Sequence, residues 1–335
     1  MSNWYTETLG DGIAVSTRIR LARNVASMPF PSRMTYEQRC ALRSIFNSDE
    51  AKALMPDDMK LTFIDMEAVS EIERIAMAER HIISPAFAAE PKGRAVLIND
   101  DETISVMIGE EDHLRIQVLL SGLQLGDAFE ISQRVDEYLS SVVKYAYDDR
   151  LGYLTECPTN LGIGMRASVM LHLPAIEADS TFNSIAENAG KIGLAVRGLY
   201  GEGSNSAASL YQISNQITLG ITEENAIDNL KVITEQIIDK ERAARENLRG
   251  IKIEDTVFRA LATLKFARLI SSDEMLNLLS KVKLGIYLGI ITEIDKSVPM
   301  KIMIESLPGM LQKKFGVMSA GDRDISRAEF IREQL

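Results

Sequence analysis

Between Asp11 and about Asn24 the residue types alternate: Ile13, Val15, Thr17, Ile19 and Leu21 fall on one face, Arg18 and Arg20 on the other. A period of two predicts a strand in a half-buried sheet, because successive side chains point to opposite faces. Here the strand sends two permanently charged guanidinium groups the same way. Charged strand positions usually meet only solvent, so the pair gains meaning only if anion-binding groups gather around it.

The rest of the chain predicts the setting of that strand. Residues 36–54 and 68–81 read as helices, and the apolar runs 94–99 and 104–109, separated by 100–103, as a hairpin. Residues 113–146 read as largely helical, with Gly122 and Gly126 as soft points. Residues 192–197 read as a strand, followed by a polar, glycine-bearing loop over 198–208 of the kind that closes over ligands. Residues 221–247 form one long helical pattern. Composition changes after Arg249-Gly250, beyond which the pattern is helical, and Ser271 with Glu274 three residues later is a capping box ahead of an apolar run to Ile291. The expectation is an α+β protein. Residues 1–250 would form a catalytic domain, an antiparallel sheet flanked by helices, and residues 254–335 a small helical domain used for docking or dimerisation.

Composition narrows the chemistry. The 335 residues carry 48 acidic against 37 basic side chains, a net charge of −11. That excludes broad binding of nucleic acid or anionic membranes by bulk charge, but not a local basic cluster. Two distant cysteines, Cys40 and Cys157, make no disulfide framework. Three histidines (His81, His113 and His172), without CxxC or HExxH, leave little for a transition-metal site, so no protein-held metal is expected. The start lacks a basic region followed by an apolar run, and no apolar stretch reaches membrane-spanning length; a cytoplasmic location is expected.

Candidate chemistry gathers in three places. Cys157-Pro158-Thr159-Asn160-Leu161-Gly162-Ile163-Gly164-Met165-Arg166 sets a cysteine beside a glycine-rich loop and an arginine, a neighbourhood that stabilises a thiolate and lets backbone N–H groups approach anionic oxygens. Its half-match to a dinucleotide fingerprint fails, because no hydrophobic strand precedes it. Glu110-Glu111-Asp112-His113-Leu114-Arg115 follows an apolar strand, and such carboxylates bind a cation, act as a general base or simply start a helix. Arg197-Gly198-Leu199-Tyr200-Gly201-Glu202 has the same layout. Arg18, Arg20, Arg115, Arg166 and Arg197 together suit a triphosphate, since guanidinium groups fork onto phosphate oxygens. Glu111, Glu202 and Cys157 suit a cationic substrate. No GxxxxGK[ST] loop is present (Gly190-Lys191 is followed by Ile192), nor HRD or DFG, which excludes a P-loop enzyme and an ordinary protein kinase.

In this order the motifs resemble the phosphagen (guanidino) kinase family. The pieces are Ser16-Thr17-Arg18-Ile19-Arg20, the segments 110–115, 157–169 and 197–202, and Tyr211 to Asn215 followed by Leu219-Gly220-Ile221-Thr222; they span about residues 16–235. Within the family the chain most resembles the bacterial protein-arginine kinases. Creatine and arginine kinases carry a helical domain ahead of the strand that here starts near residue 16. The tail, with Leu278-Leu279-Ser280-Lys281-Val282-Lys283-Leu284-Gly285, is similar to the protein-arginine kinase tail. Arg323-Asp324-Ile325-Ser326-Arg327-Ala328 matches that branch's RDxxRA phosphoarginine-binding motif. Arg323 and Arg327 are spaced to share a helix face and pinch a phosphate. Two positions depart from the pattern: Ile163 replaces a hydroxyl residue, and Tyr200 stands where small-molecule arginine kinases often have arginine.

The resemblance implies transfer of the γ-phosphoryl of ATP to arginine in proteins, with Mg²⁺ held mainly by ATP. The five arginines would hold phosphates, and Glu111, Glu202 and Cys157 the guanidinium. It further implies a homodimer, allostery through Arg323, Asp324 and Arg327, and a stress-response role in which phosphoarginine marks proteins for Clp-protease degradation, with an activator protein and a heat-shock repressor as partners. Two alternatives stay open: a kinase of free arginine or another guanidino compound, and a phosphoarginine-binding adaptor.

Overall fold

A computed structural model describes residues 3–179, 181–198 and 207–335. It contains ten described strands: β1 (Ala14–Arg23), β2 (Thr62–Asp65), β3 (Ala95–Ile98), β4 (Ile104–Ile108), β5 (Leu114–Ser121), β6 (Tyr147–Asp148), β7 (Gly152–Tyr153), β8 (Met165–His172), β9 (Leu194–Gly198) and β10 (Leu210–Asn215). Eight of them form one antiparallel sheet in the order β2-β3-β4-β5-β1-β8-β10-β9, and β6 with β7 makes a separate small hairpin. The alternating segment is thus a central strand. The α+β architecture read from the sequence is present.

One sheet face is mainly apolar. Ile19, Leu21, Ile116, Val118, Ala167 and Val169 pack there against the helices Leu125–Val142 and Glu223–Asn247, through Leu125, Val135, Leu139, Ile227 and Leu230. The opposite face is covered only in part. At the β3–β4 side, Val96, Ile98 and Met107 meet Met66, Met77, Ile82 and Phe87 of the helices Glu71–Glu79 and Pro85–Ala89 and their approaches. Nearer the other end of the strands, Leu119, Met170 and Leu210 meet Val257, Leu261, Leu276, Leu279 and Met303 of the helical region that begins at Ile251. Buried polar contacts add to that junction: His172 Nε2 lies 2.8 Å from Ser280 Oγ, and Lys283 Nζ donates to the Gly12 carbonyl at 2.5 Å.

The helix expected over 113–146 is corrected. Residues 114–121 are β5, and the helix spans only Leu125–Val142. Gly122, at φ +61°, turns the chain from one to the other, and Gly122 N–H donates to the Val15 carbonyl. The expected helix over 36–54 is two, Tyr36–Ile45 and Asp49–Leu54, the second capped by Ser48. The hairpin over 94–109 is present as β3–β4. At Ser271 the side chain accepts from the Glu274 N–H, as the capping pattern requires.

Candidate active site

Residues paired directly across an antiparallel ladder project to the same face. Arg20 pairs with Arg166 on β8 and with Gln117 on β5, and Ala22 pairs with Arg115. Arg18 pairs with Ser168, Ser168 with Ser214, and Gln212 with Arg197. The register therefore places Arg18, Arg20, Arg115, Arg166 and Arg197, drawn from four strands, on the partly covered face.

Arg115 is paired with Glu110, whereas Arg18 and Arg166 meet neutral described partners. Arg18 Nη2 donates to the amide oxygen of Gln212 at 2.7 Å, and Arg166 reaches the hydroxyl of Ser214 at 3.2 Å; both partners are neutral. The Arg20 Nε is buried and has no hydrogen-bond partner among the described residues. Burial, then the neighbouring Arg115 and Arg166, pulls Arg18 down to about 10. Burial and the same cations, with Arg18, pull Arg20 well below its ordinary value against an opposing pull from Glu110. Arg166 is lowered by burial, Arg197 and Arg115. Crowded cations of this kind are an invitation to a polyanion. Arg23, one register step away on the other face, shows the contrast: it is fully buried, paired with Asp136 at 2.8 Å, and lies 3.5 Å from the Tyr153 ring centre.

Two cavities open over these arginines. The larger, of about 810 Å³, is lined by Arg18, Arg20 and Arg115 together with His81, Gln117 and Gln212, and by the apolar Ile75, Ile83, Met107, Leu276 and Leu307. The smaller, of about 240 Å³, is lined by Arg20, Arg115 and Arg166 with Glu110, Glu111, Cys157 and Thr159. Arg20 and Arg115 belong to both. Burial, then the charge of Arg18, holds His81 down at about 4, so its imidazole is neutral near pH 7.

The turn between β4 and β5 separates its carboxylates by role. Burial would raise the Glu110 carboxyl, but Arg115, the Glu111 N–H and Ser84 together hold it below the usual range. Asp112 accepts from Asn24 Nδ2 at 2.6 Å and from Glu156 N–H at 2.7 Å, and burial raises its pKa. His113 Nδ1 accepts from Val25 N–H while Nε2 lies 2.9 Å from the Pro29 carbonyl, which fixes the Nε2–H tautomer. Only the exposed Glu111 has no described hydrogen bond or ion pair to its carboxylate, and it faces the smaller cavity.

The Cys157 loop is held from outside. Cys157 is half-buried, its Sγ 3.1 Å from Thr159 Oγ1, and its carbonyl accepts from Thr155 Oγ1 and Asn160 N–H. The Thr218 hydroxyl reaches both the Thr159 and Leu161 carbonyls, at 2.9 and 2.8 Å. Gly162 takes φ +108° against the Thr218 carbonyl, where a Cβ would come within 2.1 Å. Ile163 packs half-buried against the core and gives its N–H to the same carbonyl. The loop thus closes without a hydroxyl at that position.

Glu202 lies outside the described residues. Arg323 and Arg327 lie one turn apart on the helix Ala320–Gln334, yet they do not form an open pair. Arg327 is buried and turns inward, giving Nε to the Ser306 carbonyl at 2.9 Å and Nη1 to the Ile270 carbonyl and Asp324. Two backbone carbonyls that would otherwise be orphaned decide that orientation. Arg323 is half-exposed. His81, Gln117, Gln212, Ser214 and Thr218 were not singled out from sequence. Only the strand parity of Gln117 and Gln212 could have flagged them.

Residues 45–244 match the family model described as ATP:guanido phosphotransferase, C-terminal catalytic domain. The chain belongs to this family. In this guanidino phosphotransferase, residues 250–335 also match a model described as Protein-arginine kinase McsB C-terminal domain. Over 327 residues the enzyme is 46% identical to the protein-arginine kinase of Halothermothrix orenii, covering 96% of this chain and 93% of that protein. It is 44% identical to that of Desulforamulus reducens, covering 100% of this chain and 95% of that protein. Its fold is similar to the crystal structure of lombricine kinase, with a TM-score of 0.62 and 26% identity, over 72% of this chain and 69% of that one.

Proposed function

We propose that this guanidino phosphotransferase moves the γ-phosphoryl of MgATP to a guanidinium nitrogen of arginine within a protein. The observation that carries the reading is the pair of adjoining cavities that share Arg20 and Arg115. The larger has an apolar end for a base and a cationic floor for phosphates. The smaller offers Glu111 and Cys157 to a cation. A phosphoryl group passing from one to the other stays in contact with Arg20 and Arg115.

Phosphoryl transfer depends mostly on alignment and on neutralising charge over the equatorial oxygens. Arg18, Arg20, Arg115, Arg166 and Arg197 hold the phosphates, and the buried Nε of Arg20 is a donor with no acceptor among the described residues. Mg²⁺ comes with the nucleotide, bound by phosphate oxygens and water. A guanidinium is protonated at neutral pH and a poor nucleophile. Glu111 orients it and takes one N–H proton as the nitrogen–phosphorus bond forms and the bond to the ADP oxygen breaks. Cys157 contacts a further guanidinium nitrogen, and Glu202 holds its other side.

The full-length similarity to proteins named protein-arginine kinase, and the C-terminal match, favour a protein acceptor over free arginine. From the same likeness we propose marking for Clp-protease degradation, an activator protein and a heat-shock repressor as partners, and action in the cytoplasm. Exposed Phe258, Phe266, Leu269 and Val317 on the helical region support a homodimer. For phosphoarginine at the tail motif, the half-exposed Arg323 is the side chain that would meet the phosphate, beside Asp324 and Arg327.

The test is incubation with MgATP and two acceptors, free L-arginine and an unfolded arginine-rich protein, read by mass spectrometry at neutral pH because the phosphorus–nitrogen bond is acid-labile. Phosphoarginine on the protein alone is the expected result. Product only on free arginine overturns the protein acceptor, and no product on either overturns the kinase reading.

A further inference from the structure

The larger cavity is not walled by the sheet and its flanking helices alone. Ser272, Asp273 and Leu276, from the first turns of the helix Ser272–Tyr287, and Leu307 and Pro308, at the start of the helix Pro308–Phe315, close its far side. These two segments belong to the helical region beyond residue 250. Each begins one or two residues after a carbonyl held by Arg327: Nη1 binds the Ile270 carbonyl at 2.8 Å, and Nε binds the Ser306 carbonyl at 2.9 Å. Ile270 N–H in turn donates to the Asp324 carbonyl, so the tail helix grips the first segment twice.

The second segment is gripped from the other side as well. The Glu79 carboxylate accepts the N–H groups of Gly309 and Met310, each at 2.8 Å, which satisfies free donors at that helix start. Gly309 is packed so closely that a Cβ would lie 2.5 Å from Ile75 and 2.9 Å from Glu79. The wall is therefore held between Glu79 on one side and Arg327 on the other.

We infer that the helical region completes the nucleotide site of this kinase, supplying the surface against which the base and ribose pack, and that Arg327 is the positioning residue that sets this wall. The inference rests on the proposed reading of the larger cavity as the nucleotide site. An apolar end bounded by Leu276 and Leu307, opposite a floor of three arginines, matches the two halves of a nucleoside triphosphate. A planar guanidinium bridging two carbonyls in a fixed geometry is not replaced by an ammonium. Tail and active site are then linked through the affinity for nucleotide, not through the chemical step.

The experiment measures MgADP binding by calorimetry, together with KM for ATP, kcat and thermal unfolding, on the full chain and two variants. Ser272→Phe fills the wall from a half-exposed position, and Arg327→Lys keeps the charge but loses the fork. Both are expected to raise Kd for MgADP and KM for ATP by about tenfold or more, and in Ser272→Phe, which leaves the tail motif intact, kcat at saturating ATP stays near the parent value, the signature of lost ground-state binding. Folded variants with parental Kd and KM overturn the inference, as does a fall in kcat with KM unchanged. A lower melting temperature alone, with parental Kd, means that Arg327 is merely structural and also overturns it. If Arg327→Lys does not fold, Ser272→Phe decides. Failure of the parent chain to bind MgADP sinks the nucleotide reading itself, a result distinct from either variant's.

Discussion

Arg20 of β1 lies directly opposite Arg166 of β8, two like charges where a ladder ordinarily avoids them. Nothing in the sheet requires this pairing, and burial of both side chains aggravates it. Arg166→Met is expected to stabilise the ligand-free protein by roughly 0.2–1 kcal/mol, the usual range for a cross-strand pair. The same variant is expected to lower kcat/KM by about 10²–10³, as loss of one preorganised donor to a transition-state oxyanion does. Thermal unfolding and steady-state kinetics on one preparation check both; a destabilised variant with normal turnover would mean that the arginine serves the fold.

Glu110 and Glu111 are neighbours with opposite environments. Glu110 is spent on Arg115 and Ser84, whereas Glu111 faces the smaller cavity. Glu111→Gln is expected to reduce kcat by about 10²–10⁴ with little change in KM for ATP, the range for loss of a general base. Glu110→Gln is expected to act chiefly on KM, through a loosened Arg115. Equal kcat losses in the two variants would count against the assignment.

Thr218, just after β10, shares its hydroxyl proton between two carbonyls of the Cys157 loop, those of Thr159 and Leu161. Thr218→Val keeps the shape and removes the donor. The expected loss is about 1–3 kcal/mol of stability, the penalty for unsatisfied buried acceptors, with a weaker KM for the arginine acceptor and an unchanged Kd for MgADP. Calorimetric unfolding and separate titration of the two substrates distinguish this from a general loss of structure.

Lys283 lies wholly buried where the helical region meets Gly12. Burial, then Arg245, pulls it from 10.5 to about 7, against Asp11 and Glu241. Between about pH 7 and 10.5 the unfolded chain therefore holds a proton that the folded chain does not, so this group's contribution to stability rises with pH across that window. It is least favourable at and below pH 7, where an ammonium must be buried. Urea unfolding of the parent and Lys283→Met between pH 6.5 and 10 should show the variant's relative stability greatest at the acid end and declining toward pH 10. A pH-independent difference would show that the buried amine does not titrate there.

The gathering of the candidate residues on one face was largely legible in the sequence. Strand parity alone puts Arg18 and Arg20 on one face, and the order of motifs gathers Arg115, Arg166, Arg197, Glu111 and Cys157 with them. The family and its antiparallel architecture follow from those pieces. The β5 segment was misread although Leu114, Ile116 and Val118 alternate with Arg115 and Gln117, because Leu119 and Leu120 break the alternation and the helix that starts at Leu125 follows after only three residues. Tertiary structure alone decided that β1 lies between β5 and β8, that Arg20 and Arg115 serve two cavities, that His81 stands neutral beside Arg18, and that Arg327 turns inward to the Ile270 and Ser306 carbonyls. The reason is physical. Periodicity reports which way a side chain points from its own element, whereas its partner is set by which distant surfaces bury together and which backbone groups that burial leaves to be satisfied.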